Sequence, residues 1–522
     1  MKVIKTLTVI ILTACALVSC RKSAVNPNKD IALEDFTQLR DSRFSVNSQI
    51  IRSGIDSLIK RDHDSLSTDY KTRSYYLNRG DFLWIDRHGV DAKADSVLKW
   101  LETIDRDGFD KKKFRVDAIR RDLEFIRNIQ VGSNSNNINA VMARIEYNLT
   151  KAYLKYATGQ RFGYVNPYRL FNYKDLIDTK KKEGNHYRTL YDMKTDVPSK
   201  LFYSIAFRMI HNDSIGLFLR EVQPHNPRYF ALRDLLKPHM PARERKLILI
   251  NMEQERWRTV EDPSMYKKFV LVNIPSYSLY AINGNDTLTM RIGCGSLKTK
   301  TPILSSRLKR MDINPKWYIP RSIIDKSISR HAGNVAYFRS HRFEVYSKTT
   351  GLPTPPSWEA LHDEDNYVVQ LGGEGNALGR IIFRFDNKFA VYLHHTSTTG
   401  VFEQSDRSVS HGCVRVEKPF QLAAFLLGEG HEKDLHRIGY SMSADISPLE
   451  KDKSELNGKE KSILDTLQMK LIVNSVIIEP QIPLFITYRT MLPLTKGCYL
   501  ISEDVYGYNE LIWNKLLQII QV

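Results

Sequence analysis

The chain has 522 residues, of which 42% are hydrophobic and 10% aromatic, so it can bury the cores of two or three domains. This composition excludes a chain too polar to build a core. The formal net charge of +18 favours anionic partners by long-range attraction, such as nucleic acid, a cell-wall polymer or an anionic lipid surface.

The first residues predict a secretory signal over residues 1–19. Two lysines precede an apolar run from Thr6 to Val18, which is shorter than the about 20 residues of a membrane-spanning helix. The run ends in Leu-Val-Ser-Cys and resembles a bacterial lipobox, which implies lipidation of Cys20 and a lipid-anchored linker over residues 20–34. The alternative is an ordinary signal peptide whose cysteine is incidental.

Such a leader predicts a location in the cell envelope, on the periplasmic side, with acyl chains holding the protein to a membrane. Export argues against nucleic acid as a partner. Removal of the signal takes away Lys2 and Lys5 and lowers the net charge from +18 to +16. The thiols that remain are Cys294, Cys413 and Cys498, and their odd number and wide separation argue against a disulfide framework.

The chain changes from helical to strand-like patterning, which predicts an α+β fold. Apolar residues recur at spacings of three and four over Asp91–Leu101 and Ala140–Ala157, as in the helices of a mainly helical N-terminal region. Later runs predict strands at Phe269–Ile274 and Tyr277–Ile282, followed by hairpin chemistry at Asn283–Asp286.

Further strands are predicted just before a pair of histidines. Ile381–Phe385 and Phe389–Leu393 are strand-like apolar runs, and His394 and His395 follow the second run. A charged segment of mixed pattern at about residues 321–368 interrupts the strands upstream.

Cys413 has the sequence neighbours that a thiol nucleophile requires. The thiolate is the reactive form, so the pKa of the thiol must be lowered and a base must lie within hydrogen-bond reach. Arg407, His411 and Arg415 can supply positive potential, and either upstream histidine can accept the proton. The backbone amides of Gly412 and Cys413 can bind a developing oxyanion.

Other interpretations of these residues remain open. A lone cysteine is usually a small buried hydrophobe. Three histidines and a cysteine also suit zinc, although the spacing is loose and neither CxxC nor HExxH is present. Spacing alone does not choose the base, because strand alternation places Tyr392 and His394 on one face but does not constrain His395.

Around Cys413 the sequence resembles the L,D-transpeptidases with a YkuD-type catalytic domain. Their signature is an upstream histidine, then Ser-His-Gly-Cys, a small apolar residue and Arg or Asn. The residues that match it are His394, Ser410, His411, Gly412, Cys413, Val414 and Arg415. Tyr392 and Arg407 resemble the variant found in the large, multidomain branch of the family.

The resemblance implies a mechanism that uses neither a metal nor an organic cofactor. Cys413 is the implied nucleophile, and His394 rather than His395 is the implied base. The residues implied to contact substrate or the oxyanion are Tyr392, Ser410, His411, Gly412 and Arg415. The implied activity joins peptidoglycan stem peptides by 3-3 cross-links through a cysteine thioester, with release of D-alanine. Alternatives are an L,D-carboxypeptidase or exchange enzyme with the same site, and a lipid-anchored wall-binding protein without catalysis.

The same resemblance implies the order of the domains. A helical scaffold domain is expected at residues 35–245, a β-rich catalytic domain at 246–450 with a capping insertion at about 321–368, and a C-terminal extension at 451–522. In the large branch a peptidoglycan-binding module often lies between scaffold and catalytic domain. This chain leaves no room for such a module, so that docking surface is not expected.

Overall fold

The structure is a computed structural model that describes residues 46–86, 89–128, 136–176, 187–450, 454, 456–495 and 498–520. The predicted signal at 1–19, Cys20 and the linker at 20–34 lie outside the described residues. The fold is α+β, as predicted. Within the described ranges, none of the helices combines the length and the apolar character that crossing a membrane requires.

Helices dominate the first half of the described chain and strands the second half. The α-helices are α1 (Ser48–Arg61), α2 (Ser67–Leu77), α3 (Lys93–Leu101), α4 (Val116–Arg127), α5 (Ile138–Phe162), α6 (Pro167–Asn172), α7 (Lys200–His211), α8 (Ile215–Glu221), α9 (Pro227–Arg233), α10 (Ala242–Arg256), α11 (Arg321–Ile323), α12 (Val335–Ser340), α13 (Trp358–His362), α14 (Pro419–Leu427), α15 (Glu432–Ser443), α16 (Gly458–Thr466) and α17 (Tyr508–Leu516). The strands are β1 (Ile85–Asp86), β2 (Gly89–Val90), β3 (Tyr191–Asp192), β4 (Lys268–Asn273), β5 (Ser278–Asn283), β6 (Asp286–Gly295), β7 (Ile303–Ile313), β8 (Trp317–Tyr318), β9 (Phe343–Ser347), β10 (Asn366–Gln370), β11 (Ile381–Phe385), β12 (Leu393–His394), β13 (Ser408–Ser410), β14 (Val414–Val416), β15 (Ser475–Thr487), β16 (Met491–Thr495) and β17 (Cys498–Ile501).

The chain divides into two compact units. The helical unit comprises the described residues of Met1–Asn166, Asp196–Arg258 and Ile512–Val522. The β-rich unit comprises the described residues of Pro167–Thr195 and Thr259–Leu511. Each unit is therefore assembled from segments that are distant in sequence.

The boundary of the helical unit differs from the domain boundary expected at residue 246, which falls inside α10. That helix continues to Arg256 because its apolar side chains pack into the helical unit, and Leu249 and Met252 are buried there. Gly108 lies against the side chain of Leu249, close enough that a Cβ would meet it at 2.3 Å.

Helix α5 forms the centre of the helical unit. Asn137 caps its first turn, where the side chain accepts the N–H of Ala140 at 3.0 Å. Helices α1, α2 and α4 pack against it, and nearly all of its residues are buried, including the polar Glu146 and Lys151. The helix predicted over Ala140–Ala157 is confirmed, and it extends beyond the prediction at both ends.

A buried cation joins α10 to its neighbours in the helical unit. Arg256 donates to the hydroxyl of Tyr229 at 2.8 Å, to Glu253 at 3.2 Å and to Gln160 at 3.3 Å. Its guanidinium also lies 4.8 Å from the centre of the Phe109 ring. The charges of Arg256 and Glu253 are therefore both buried and both paired, which makes each one dependent on the other.

We predict that Arg256→Met destabilises the helical unit by about 3–5 kcal/mol, because it leaves the carboxylate of Glu253 buried without its partner. Arg243 lies at an exposed position of the same helix, so Arg243→Met is the matched control and should change the free energy of unfolding by less than about 0.5 kcal/mol. Urea denaturation followed by far-UV circular dichroism measures both variants. Equal losses in both would contradict the prediction.

In the β-rich unit, eight strands pair into a closed ring. Around the ring they follow the order β4, β5, β6, β14, β12, β11, β7 and β15, and β15 returns to β4. The predicted hairpin is confirmed, since Asn283 pairs with Asp286 and Gly284 adopts a φ of +63°. Closure satisfies the backbone of each strand on two sides.

The segment between β7 and β11 forms a small layer with its own core. Strands β8, β10 and β9 make a three-stranded antiparallel sheet. The buried residues of its core are Ile319, Ile324, Ile328, Phe338, Val345, Leu361 and Val368. Because Trp317 and Gln370 pair at the two ends, this layer extends beyond the mixed segment predicted at 321–368.

One predicted strand is largely replaced by a turn. The run Phe389–Leu393 was expected to be extended, but in this run only Leu393 belongs to a strand. Asn387 makes the turn, because its side chain accepts the N–H of Val391 at 3.1 Å and donates to the carbonyl of the same residue at 2.8 Å. Ala390 has a φ of +52°, which is incompatible with an extended strand.

Candidate active site

Strands β12 and β14 position the cysteine and the first histidine that the sequence singles out. The two strands are parallel, and His394 lies opposite Arg415. The N–H of Val414 donates to the carbonyl of Tyr392 at 2.9 Å. Cys413 comes one residue before β14, so this hydrogen bond fixes its backbone beside the start of β12.

The backbone around Cys413 is held by a side chain of the same motif. Ser410 is buried, and its hydroxyl donates to the carbonyl of Cys413 at 2.6 Å and accepts the N–H of Gly412 at 3.1 Å. Gly412 has a φ of +119°, which other residues rarely adopt. Of the two amides predicted to bind an oxyanion, that of Gly412 is thus engaged. The N–H of Cys413 has no acceptor in the described part of the chain.

The connection between β6 and β7 supports this loop from behind. Thr301 is buried, and its hydroxyl donates to the carbonyl of Gly412 at 2.8 Å while accepting the N–H of Gly295 at 2.8 Å. The hydroxyl of Thr299 donates to the carbonyl of Ser410 at 2.8 Å. The carbonyls on both sides of His411 are therefore fixed by two threonines of one connection.

The C-terminal extension reaches the same place. The hydroxyl of Tyr506 donates to the carbonyl of Gly295 at 2.6 Å and accepts the N–H of Thr301 at 3.1 Å. The N–H of Tyr506 donates to the hydroxyl of Tyr488 at 2.7 Å, and that hydroxyl donates to Asp504 at 2.6 Å. The supporting roles of Thr301 and Tyr506 are not predicted from the sequence, because neither residue carries a local signal of its role.

The thiol of Cys413 is half-buried, and its nearest acceptor is the carbonyl of Ala390, 3.9 Å from Sγ. Burial raises the pKa of the Cys413 thiol. The backbone N–H of Tyr392 and the charge of Arg415 act in the opposite direction but do not overcome burial. The expectation that the surroundings lower the pKa of Cys413 is therefore wrong.

His394 is a neutral, buried imidazole. It is 4% exposed, and Nδ1 donates to the carbonyl of His395. Burial lowers the pKa of His394 to about 4, so the ring carries no charge at neutral pH and can accept a proton. Among the described residues, no hydrogen bond joins its ring to the thiol of Cys413.

His395 occupies a packing position. Its Nδ1 accepts the N–H of Arg380 at 3.2 Å, and Gly379 lies so close that a Cβ would meet the ring at 2.7 Å. Burial and the charge of Arg380 lower the pKa of His395. The Nδ1 atom of His395 is thus engaged by backbone.

Arg407 and His411 do not supply the positive potential expected of them. Arg407 donates to the carbonyls of Ile292 at 3.1 Å and Gln404 at 2.8 Å, and its guanidinium lies 5.0 Å from the centre of the Tyr277 ring. It therefore binds the backbone that leads into the Cys413 loop. His411 is exposed, and neither side chain is among the causes of the pKa shift of Cys413.

Arg415 and Tyr392 contribute in different ways. Arg415 lowers the pKa of Cys413 by its charge, and its own Nε is buried without a hydrogen-bond partner in the described structure. The ring of Tyr392 lies 5.2 Å from the guanidinium of Arg384, so Tyr392 affects the thiol through its backbone N–H.

The zinc interpretation gains no support from this geometry. Across the described ranges, no three His, Cys, Asp or Glu side chains come together as ligands of a metal ion. His411 is exposed and the Nδ1 of His395 is engaged, so these rings do not converge with Cys413 on one point.

Two family models match the chain. The model of the L,D-transpeptidase catalytic domain matches residues 267–442, which include Cys413 and His394. The chain contains an L,D-transpeptidase catalytic domain. A model described as a Scaffold domain matches residues 70–236 of the helical region.

A curated relative from Haemophilus influenzae bears the name "Putative L,D-transpeptidase". It is 29% identical over 226 residues, which are 42% of this chain and 46% of the relative, so the match spans about half the length of that relative. The crystal structure of a cysteine-to-serine mutant of the Enterococcus faecium L,D-transpeptidase is similar over 33% of this chain and 50% of that chain. That similarity has 12% identity and a TM-score of 0.16 and carries no further argument.

Alkylation of the catalytic domain by iodoacetamide should reveal the raised pKa of Cys413. The alkylation rate should reach half of its maximum at a pH above about 8.5, which is the pKa of an ordinary cysteine thiol. Arg415→Met should move this midpoint to still higher pH, because the charge of Arg415 lowers the pKa. Mass spectrometry of the peptide that contains Cys413 separates its reaction from those of Cys294 and Cys498. A pH midpoint of alkylation below the pKa of an ordinary thiol would refute the prediction.

Thr301→Val keeps the shape of the side chain but removes the donor to the carbonyl of Gly412. We expect acylation of Cys413 by a carbapenem to slow by about 10–100-fold, because the loop loses its position. Stopped-flow fluorescence gives the rate. Thr287→Val, at an exposed position of β6, is the control and should react normally. A normal rate for Thr301→Val would show that the loop is held without this bond.

Proposed function

We propose that the catalytic domain joins peptidoglycan stem peptides by 3-3 cross-links through a thioester on Cys413, with release of D-alanine. The observation that carries the proposal is the placement of Cys413 by the β12–β14 pairing, beside the strand of a neutral His394. The match to the L,D-transpeptidase catalytic domain supplies the class of reaction.

In the first step, the sulfur of Cys413 attacks the carbonyl at the L-centre of the diamino acid in a donor stem. His394 accepts the thiol proton, and the unengaged N–H of Cys413 donates to the oxyanion of the tetrahedral intermediate. The intermediate collapses to a thioester, and the proton from His394 goes to the amine of the departing D-alanine.

In the second step, the side-chain amine of an acceptor stem attacks the thioester. His394 accepts a proton from this amine and returns it to the sulfur as the new amide forms. The amide is the 3-3 cross-link, and Cys413 is regenerated as a thiol. Neither step requires a metal ion or an oxidant.

The pKa shifts favour proton transfer during the attack over a preformed ion pair. Burial raises the pKa of Cys413 and lowers that of His394 to about 4, so both groups are neutral at neutral pH before substrate binds. The thiol must leave the carbonyl of Ala390 to reach the imidazole, and a bound stem can replace that contact.

We also propose that the protein acts from a membrane on the periplasmic side of the cell envelope, anchored by lipid on Cys20. The sequence of residues 1–20 supports this location, and a net charge of +16 after removal of the signal suits an anionic wall or lipid surface. Peptidoglycan stem peptides are the proposed partners.

Incubation of the chain without residues 1–20 with purified tetrapeptide muropeptides tests the activity. The expected product is a dimer whose mass is that of two tetrapeptide monomers less one D-alanine, because the attacking amine replaces the amine that leaves. Cys413→Ala should form no dimer. Three other outcomes would reject the cross-linking proposal. Tripeptide monomers alone would indicate a carboxypeptidase, and stems with an exchanged terminal residue would indicate an exchange enzyme. The absence of any product would favour the wall-binding alternative.

The two histidines can be separated in the same assay. His394→Ala should lower the rate by about 10²–10⁴-fold, because it removes the general base. His395→Asn keeps a polar side chain beside Gly379 and is the matched control, which should retain most of the activity. The reverse result would identify His395 as the base.

A further inference from the structure

The helical unit contains an open cavity that is separate from the Cys413 site. Its volume is about 430 Å³, and all of its lining residues belong to the helical unit. The cationic side chains in the lining are Lys112, Lys113, Arg115 and Lys155. The carboxylates in the lining are Asp64 and Asp69.

Lys155 is the buried cation of this cavity. Its side chain is 4% exposed, and its ammonium donates to the carbonyl of Lys113 at 3.3 Å. The nearest oxygen of Asp69 is 3.7 Å away, beyond hydrogen-bond distance, and that oxygen makes no hydrogen bond. An ammonium has three donors, so Lys155 has donor capacity left that faces the cavity.

The lining holds four cations but only two carboxylates, and these carboxylates also interact with a lysine outside the cavity. Lys151 donates to Asp64 at 2.7 Å and approaches Asp69 to 3.6 Å, and it does not line the cavity itself. The cations of the lining therefore outnumber its carboxylates, and the buried ammonium of Lys155 has only the distant carboxylate of Asp69 as an ionic partner, so a bound anion would stabilise its charge.

The other cations of the lining lie at the wall and the rim of the cavity. Arg115 is held by a hydrogen bond of 2.7 Å to Asn148 and by ion pairs with Asp62 at 3.8 Å and Asp64 at 3.7 Å. Lys112 and Lys113 are exposed beside it on a short helical turn that Asp110 caps. Donors thus approach the cavity from its floor, its wall and its rim.

We infer that this cavity binds a phosphate group, with Lys155 at its floor and Lys112 and Lys113 at its rim. A phosphate offers oxygens in several directions and suits lysines that act as point charges, whereas a carboxylate offers two oxygens in one plane. The phosphate belongs either to a soluble phosphorylated compound or to the headgroup of an anionic phospholipid. This site is independent of the proposed cross-linking activity.

Isothermal titration of the chain without residues 1–20 with inorganic pyrophosphate tests the site. We expect saturable binding that weakens at least about tenfold in Lys155→Met and in Lys112→Ala/Lys113→Ala. Because Lys112 and Lys113 are exposed, the double variant should fold normally, and it tests the site even if Lys155→Met fails to fold. Lys237→Ala/Arg243→Ala removes the same charge from exposed positions elsewhere in the helical unit and should bind normally.

Co-sedimentation with vesicles separates the two sources of phosphate. Binding to phosphatidylglycerol vesicles that pyrophosphate displaces, and that Lys112→Ala/Lys113→Ala weakens, identifies a lipid headgroup. Pyrophosphate binding without such vesicle binding identifies a soluble compound. The site is refuted by absence of pyrophosphate binding, by equal weakening in the control pair, or by equally tight binding of malonate, a dicarboxylate.

Discussion

The hydrogen bond from Thr301 to the carbonyl of Gly412 is the contact on which the geometry of the active site depends. It joins the loop of the nucleophile to a buried threonine whose neighbours belong to the strand ring, and Tyr506 holds that threonine's own N–H in place. With the carbonyl of Gly412 turned inward and its amide engaged by Ser410, the amide of Cys413 is left unengaged. Polar contacts beneath the loop thus fix its shape, whereas the side chain of Cys413 itself makes few polar contacts.

Burial acts on both reacting groups and favours the neutral form of each. Because the thiol of Cys413 and the imidazole of His394 are desolvated, both groups are uncharged at neutral pH. A neutral thiol is a weaker nucleophile than a thiolate. The charge of Arg415 acts in the opposite direction and favours the thiolate of Cys413.

Local patterns sufficed to predict much of this molecule from its sequence. The α5 stripe, the hairpin at Asn283–Asp286 and strand β11 were readable because their side chains repeat with the period of the element. The motif around Cys413 was readable because its chemistry is contiguous. The turn at Ala390 could not be predicted from the sequence, because hydrogen bonds from the side chain of Asn387 override the strand preference of an apolar run.

Contacts between distant segments were beyond the reach of such patterns. Thr301 and Tyr506 are 205 positions apart, and each looks ordinary in its own surroundings. Arg407 was assigned an electrostatic role because it is cationic and near Cys413 in sequence, but its donors are used by backbone carbonyls. Sequence proximity gave the residue types of the site, whereas their hydrogen-bond partners follow from tertiary structure.

The layer between β7 and β11 is structurally self-contained. Ile313 and Ile381 pair directly, so the chain departs from the ring and returns to it at adjacent points. The excursion between them brings its own apolar core and its own sheet. A change of length within this segment would therefore leave the pairing of β7 with β11 in register.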